Sequence, residues 1–71
     1  MIEKYLIENA WKRINKCCGF PTYYNETHVG YKVVVYRSRN RCAILKNNLR
    51  CVPHDVSGDE IEMTMKSIFE K

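Results

Sequence analysis

Apolar side chains recur every three or four positions through the first part of the chain, a spacing that places them on one face of an α-helix. Basic residues near the end of this stretch complement a helix dipole, and Gly19 with Pro21 supplies a stop. The sequence therefore predicts a helix from residue 2 to about residue 17. Its apolar positions are Ile2, Leu6, Ala10, Ile14 and Cys17, widened by Ile7 and Trp11.

Residues 22–53 are rich in β-branched and aromatic types, which predicts strands. The apolar centre of residues 31–37 indicates an interior position in a sheet. Asn47 and Asn48 tolerate left-handed backbone angles and so predict a type I′ hairpin turn. The predicted strands are 31–37, 41–46 and 49–53, and a weaker pattern over 22–27 is compatible with a fourth.

A two-residue hairpin loop fixes the register of the strands beside it. Lys46 is then opposite Leu49, and Arg41 is opposite His54. Ile44 faces Cys51 and Ala43 faces Val52 in the same register. One sheet face is predicted to carry Cys42, Ile44, Leu49 and Cys51 and to pack under helices, and the other to carry Arg41, Arg50 and His54 around Leu45 and Val52.

The C-terminal segment predicts a second helix. Ser57 and Glu60 match a capping box, and Val56 with Ile61 matches a hydrophobic staple. The apolar face of this helix consists of Ile61, Met65, Ile68 and Phe69. The predicted fold class is α+β in the order α-β-β-β-α, as a single domain over residues 1–71. Both helices pack on one face of an antiparallel sheet, so the opposite face is left free to bind a partner.

Composition adds charge to this picture. The chain has 71 residues, 28% of them charged, and a net charge of +4. Residues 21–54 carry six basic groups against one acidic group, whereas residues 55–71 carry two basic and five acidic groups. This asymmetry favours a polyanionic partner. The absence of a signal-peptide pattern and of a long apolar run predicts a cytoplasmic protein that no membrane holds.

The four cysteines are expected to be reduced thiols, mostly in the core. Cys17 and Cys18 are adjacent, and Cys42 and Cys51 are too widely spaced for the close ligand pairs of a zinc site. A cysteine nucleophile is also disfavoured, because Cys17 and Cys18 are predicted at a helix C-terminus, where the dipole does not stabilise a thiolate. We expect neither a metal nor another cofactor.

Tyrosines alternate with cations along the predicted strands, a mixture that suits RNA or single-stranded nucleic acid. The alternative is a half-buried sheet whose tyrosines belong to the core and whose charges keep it in solution. The expected phosphate contacts are Lys32, Arg39, Arg41, Arg50 and His54, and the expected stacking rings are Tyr31 or Tyr36.

His28 and His54 are the two histidines. A histidine can take the proton of a ribose 2′-hydroxyl in metal-independent RNA cleavage, while a nearby cation stabilises the charge on phosphorus. His28 lies just before the long strand and is the candidate for this role. The alternative is a surface histidine with no chemical task.

Four short motifs occur in the order found in one family of small proteins. They are Gly19-Phe20, Thr27-His28-Val29-Gly30-Tyr31-Lys32, Val52-Pro53-His54 and Thr64-Met65-Lys66-Ser67-Ile68-Phe69. In this respect the chain resembles the HicA-like mRNA interferases of toxin–antitoxin systems. The resemblance implies a double-stranded-RNA-binding-like fold, with His28 as the catalytic residue, Tyr31 and Lys32 beside it, and His54 at the rim of the RNA face.

Two functions are compatible with these observations. The first is a small intracellular RNA-binding module, extended by the resemblance to a metal-independent endoribonuclease with His28 as general base. The second is a non-enzymatic interaction protein, such as a phage-encoded accessory factor that inhibits a host nuclease or defence complex. In that case the acidic segment 55–62 imitates phosphates, or the basic sheet covers an acidic patch of one host protein.

Overall fold

The structure is a computed structural model that describes residues 2–14 and 19–70. Within these residues an antiparallel sheet is combined with two helices, which confirms the α+β fold class. A short 3-10 helix, Arg37–Arg39, follows the third strand. The elements are α1 Ile2–Glu8, β1 Lys12–Arg13, β2 Thr22–Tyr24, β3 Tyr31–Tyr36, β4 Arg41–Lys46, β5 Leu49–Arg50, β6 Val56–Ser57 and α2 Ile61–Phe69.

The first helix is shorter than its apolar spacing predicts. It ends at Glu8, and Ala10 adopts a left-handed conformation with φ of 69°. The backbone N–H of Trp11 donates to the carbonyl of Leu6 at 2.9 Å, and that of Ala10 donates to the carbonyl of Ile7 at 3.3 Å. These two bonds form a Schellman motif, which reverses the chain and returns Trp11 to the core beside Leu6.

Two consequences of this early end correct the sequence analysis. Lys12 and Arg13 form β1 and pair with β2, so they do not lie at the end of a helix. Gly19 and Pro21 do not terminate the helix, because it has ended well before them. The predicted helical position Cys17 lies outside the described residues.

The strands run in the spatial order β1-β2-β3-β4-β5, with each neighbouring pair antiparallel. The two longest predicted strands are confirmed as β3 and β4. Positive φ angles of 52° at Asn47 and 67° at Asn48 confirm the tight hairpin between β4 and β5. Lys46 lies opposite Leu49 as predicted.

The predicted register is wrong beyond Cys51. Its N–H still donates to the carbonyl of Ile44 at 3.1 Å, but the chain then leaves the sheet and returns as β6. Arg41 therefore lies opposite Ser57 instead of His54. Pro53 explains the interruption, because it has no N–H to donate to a ladder.

One hydrophobic core lies between the helices and the sheet. Strand alternation sends every second side chain of β3 and β4 into it, and both helices cover this same face. Leu49 and Cys51, predicted on the covered face, are exposed instead: Leu49 lies at the hairpin end of the sheet opposite the exposed Lys46, and Cys51 follows the end of β5 at Arg50. The core consists of Ile2, Leu6, Trp11, Tyr23, Val33, Val35, Cys42, Ile44, Val56, Ile61 and Met65.

The second helix begins later than the capping box predicts. Ser57 belongs to β6, and α2 starts at Ile61. The Ser57 hydroxyl donates to the Glu60 carboxylate at 2.8 Å, and the Glu60 N–H donates to the Ser57 carbonyl at 3.0 Å. The two residues therefore close a turn between β6 and α2. Val56 and Ile61 are both buried in the core.

The buried carboxylate of Glu3 joins α1 to the sheet. It accepts a hydrogen bond from the hydroxyl of Tyr23 at 2.5 Å and two from the guanidinium of Arg37, from Nε at 2.5 Å and from Nη2 at 2.9 Å. The bonds from Arg37, followed by that from Tyr23, lower the pKa of Glu3 although burial opposes them. We call these three residues the Glu3 network.

Ala10 offers a test of the Schellman motif. An alanine in the left-handed region costs about 1–2 kcal/mol, a strain that glycine avoids. We expect Ala10→Gly to raise the free energy of unfolding by about 0.5–1 kcal/mol in urea titrations. Lys4→Gly, an exposed change inside α1, should lower it by about 0.5–1 kcal/mol. If both variants were destabilised alike, Ala10 would be part of a continuing helix.

The Glu3 network predicts a pH-dependent contribution to stability. Because the pKa of Glu3 is lower in the folded chain than in the unfolded chain, its contribution is complete above the unfolded value of about 4.3. It is lost as the pH falls through the folded value. We expect Glu3→Gln to cost about 1–2 kcal/mol at pH 7, a figure reduced by the exposure of Arg37.

The difference in free energy of unfolding between Glu3→Gln and wild type should narrow as the pH falls below the unfolded pKa of Glu3 and through its lower folded pKa. Denaturant titrations between pH 7 and pH 3 measure it. Glu8→Gln, an exposed change on the same helix, should show little difference at any pH. If Glu3→Gln lowered the free energy of unfolding by the same amount at every pH, the side chain of Glu3 would stabilise the fold through its shape and not through its charge.

Candidate nucleic-acid interface

The sheet face opposite the helices carries a row of five directly paired residues. Lys12 pairs with Tyr24, Tyr24 with Lys32, Lys32 with Leu45, and Leu45 with Arg50. Directly paired residues in an antiparallel sheet project to the same face. The row therefore crosses β1 to β5 on one surface. We call these five residues the cross-strand row and the surface the open face.

Cations and apolar side chains alternate along the cross-strand row. Lys12, Lys32 and Arg50 stand on β1, β3 and β5, whereas Tyr24 and Leu45 stand on the strands between them. Neighbouring strands are about 4.8 Å apart, so successive cations start about 10 Å from one another. The result is a line of positive charge, with a ring and an aliphatic side chain set between the charges.

Two further rows complete the open face. Thr22, Val34 and Ala43 are paired beside the cross-strand row and carry no charge. Tyr36 pairs with Arg41 at the next level, towards the other end of β3. The ring of Phe20 packs edge-on against that of Tyr36, with centroids 4.8 Å apart and planes at 82°. A second aromatic position beside a cation thus lies at the far end of the face.

The cations of the open face differ in their partners. Lys12 pairs with Glu26 at 2.7 Å, and Arg50 pairs with Asp55 at 3.1 Å. Within residues 2–14 and 19–70, no carboxylate lies within ion-pair distance of Lys32 or Arg41. Exposed ion pairs are worth about 0–1 kcal/mol, so a bound phosphate can replace them at little cost. All four cations are therefore accessible to a polyanion.

The structure brings together four of the residues expected to contact nucleic acid. Lys32, Tyr36, Arg41 and Arg50 all lie on the open face. Arg39 is exposed on the 3-10 helix at the end of the sheet.

His54 is exposed in the segment between β5 and β6. Hydrogen bonds from Ser57 are the main cause of a lowered pKa at Glu60, and the charges of Arg41 and His54 add to it. His54 thus lies near Glu60, in the turn that precedes α2, and outside the paired strands that form the open face.

Tyr31 and His28 lie on the helix side of the sheet. Tyr31 alternates with Lys32 and shares the face of Val33, and its ring centroid is 4.8 Å from that of Phe69 on α2. His28 stacks on Phe69, with centroids 4.0 Å apart and planes at 22°. Its ring is also 6.5 Å from that of Trp11. We call Trp11, His28, Tyr31 and Phe69 the aromatic cluster.

The surroundings of His28 are poor in positive charge. It borders a small cavity of about 200 Å³ that is lined also by Tyr5, Asn9, Glu70 and apolar side chains, with no lysine or arginine among the described lining residues. Lys46 approaches the aromatic cluster at Tyr31, with its Nζ over the ring of Tyr31 and 5.3 Å from the ring centroid. Burial and the nearby charges of Glu62 and Glu70 raise the pKa of Tyr5. A phosphate would meet carboxylates here.

A larger groove, of about 960 Å³, lies between α1 and the sheet. Its walls include the apolar side chains of Ile2, Ile7 and Val35. The polar groups of the Glu3 network also border it, but they are already bonded to one another. The exposed side chains of Lys4, Glu8, Lys12 and Arg13 also line it, so the groove combines apolar walls with a charged border.

The sequence analysis missed three residues of the open face, Lys12, Tyr24 and Phe20. Lys12 was assigned to a helix, although it stands on the edge strand β1. Tyr24 belongs to the short strand β2, in which Tyr23 is buried and Tyr24 is half-buried. Thr22, Tyr23 and Tyr24 do not alternate in polarity, so no sequence signal distinguishes the buried Tyr23 from Tyr24.

Cysteine chemistry has no support in the described part of the chain. Cys42 is fully buried, and burial raises the pKa of its thiol to about 12, which keeps it protonated. Burial also raises the pKa of Cys51. No three histidine, cysteine, aspartate or glutamate side chains of residues 2–14 and 19–70 are grouped as a metal site. Cys17 and Cys18 lie outside these residues.

The helices of the described residues are too short and too polar to cross a membrane.

In comparisons with known proteins, no protein-family model, no curated protein and no solved structure matches this chain. A fold alone does not specify a function, so the function has to be argued from the site.

The stacking of His28 on Phe69 predicts a role in stability. We expect His28→Ala to lower the free energy of unfolding by about 1–2 kcal/mol, because an aromatic contact and its buried area are lost. His54→Ala, at the exposed histidine, should change it by less than about 0.5 kcal/mol. Urea titrations at pH 8 compare the two. If neither substitution changed the free energy of unfolding, the ring of His28 would not pack against the aromatic cluster in solution.

Proposed function

We propose that this protein binds RNA on the open face of its sheet. The observation that carries the proposal is the cross-strand row, in which three cations alternate with Tyr24 and Leu45. Cations release counterions when they meet phosphates, and an exposed ring can stack on a base. The row offers both interactions on one surface.

The charge distribution supports the same partner. Lys32 and Arg41 have no carboxylate partner among the described residues, and the pairs of Lys12 and Arg50 are exposed. The motif resemblance to HicA-like mRNA interferases is a further argument for RNA. The acidic segment before α2 is less suited to imitate phosphates, because Asp55 is paired with Arg50 and Glu60 is bonded to Ser57.

The proposal is binding without cleavage. A histidine that removes the proton of a 2′-hydroxyl must reach the same nucleotide whose phosphate a cation stabilises. His28 stacks on Phe69 on the helix side, whereas Lys32 and Arg41 belong to the open face. This separation argues against a shared substrate position. Cleavage that depends on His28 is the alternative outcome of the experiment below.

Salt dependence of binding tests the proposal. Each phosphate contact on a single strand contributes a slope of about −0.7 to the plot of log affinity against log salt. We expect Lys32→Gln to weaken binding of a fluorescein-labelled 12-nucleotide RNA in anisotropy titrations, and to reduce the slope by about 0.7. Lys66→Gln is the matched control, because it removes the same charge from the exposed side of α2 and should leave both values nearly unchanged.

Two results would contradict RNA binding on the open face, and a third would contradict binding without cleavage. One is the absence of salt-dependent binding by the wild-type protein at low salt. The other is an equal loss in Lys32→Gln and Lys66→Gln, which would mean that net charge alone attracts the RNA. The same RNA, recovered after incubation on a denaturing gel, should be intact. Its cleavage by wild type but not by His28→Ala would assign a nuclease activity to His28 and reject binding without cleavage.

A further inference from the structure

The open face carries two aromatic positions that are set well apart. Tyr24 stands beside Lys32, and Tyr36 stands four residues further along β3. At about 3.3 Å per residue and 4.8 Å per strand, the two positions are about 14 Å from each other on the sheet. Each has a cation as a direct neighbour, Lys32 for Tyr24 and Arg41 for Tyr36.

The surface between these positions carries short side chains and no charge. It consists of the half-buried Thr22 and Val34 beside the buried Ala43, and none of the three carries a long side chain. A flat base can lie over such a surface without displacing a charge or a bulky group. The rings of Tyr24 and Tyr36, both half-buried, stand at its two ends.

Paired bases do not fit this arrangement. In a duplex the faces of the bases are covered by their neighbours, about 3.4 Å apart along each strand, so two rings 14 Å apart cannot reach them. Unpaired bases can be spread out and stacked on aromatic side chains, and sheets that bind RNA in this way hold two or three bases. The phosphates between them would then pass close to Lys32 and Arg41.

We infer that the open face takes a single-stranded RNA segment of about three nucleotides, with one base stacked on Tyr24 and another on Tyr36. This inference rests on the proposed function and specifies its substrate class. Phe20 supports the second position, because its ring holds that of Tyr36 edge-on. Lys12 and Arg50 extend the positive surface along the cross-strand row to both edges of the sheet.

The experiment compares one RNA sequence as a single strand and as a blunt duplex. At 150 mM salt we expect the wild-type protein to bind the single strand at least tenfold more tightly than the duplex. Tyr24→Ala should weaken binding of the single strand by about 5- to 100-fold, the usual effect of losing a stacked base. Tyr24→Phe keeps the ring and should bind like wild type. Tyr36→Leu should resemble Tyr24→Ala.

The slope of log affinity against log salt distinguishes a loss of base stacking from a loss of phosphate contacts. Tyr24→Ala removes no phosphate contact, so its slope should equal that of wild type, in contrast to Lys32→Gln. Thermal unfolding followed by circular dichroism checks that each variant is folded. If Tyr24→Ala is not folded, Tyr24→Leu replaces it, because leucine fills most of the space without offering a ring.

The inference and the proposed function fail in different ways. Equal affinity for the duplex and the single strand would overturn the inference. So would wild-type affinity in Tyr24→Ala and Tyr36→Leu together with weak binding by Lys32→Gln. In both cases the open face would bind RNA without base stacking. If the wild-type protein binds neither RNA, both are overturned. Selective binding of the single strand with ring-dependent affinity supports both.

Discussion

The structure depends on the fact that two short helices can cover one face of this sheet but not both. Their apolar side chains, above all Ile2 and Leu6 of α1 and Ile61 and Met65 of α2, share one core with alternate residues of β2, β3 and β4. Both helices of the described residues pack on this face, so neither is left to cover the opposite one. The intervening strand residues must therefore be acceptable at a surface, and this condition places cations and tyrosines on the open face.

The end of α1 decides where that face stops. Because Ala10 turns the chain and Trp11 enters the core, Lys12 becomes the first residue of an edge strand instead of a helical residue. The Glu3 network holds α1 against β2 and against the turn that follows β3. One buried carboxylate thus fixes the helix relative to the sheet, and the edge strand that follows contributes the outermost cation of the cross-strand row.

Local patterns in the sequence were sufficient for the central elements. The alternation in β3 and β4, the two asparagines of the hairpin and the apolar face of α2 all predict what the structure contains. The failures arise where a distant contact overrides a local pattern. Helical spacing continues past Glu8, but the helix ends because Trp11 is buried in the core. The hairpin register would continue to His54, but Pro53 interrupts the strand pairing. Lys32, Tyr36 and Arg41 were predictable for the open face because they lie on the two long strands, and Arg50 because the asparagine turn fixes its register. Lys12 was missed because the helical spacing continues through it, and Tyr24 because β2 has only three residues.

The pleat of β3 bears on chemistry as well as on packing. Tyr31 and Lys32 are neighbours in sequence, but successive side chains of a strand point to opposite faces. Tyr31 joins Phe69 and His28 on the helix side, while Lys32 takes the centre of the cross-strand row. A shift of β3 by one position would only exchange the faces of the two residues without bringing them together, and it would expose Val33 and Val35. The same burial that makes the fold stable therefore keeps His28 and its aromatic neighbours apart from the cations of the open face.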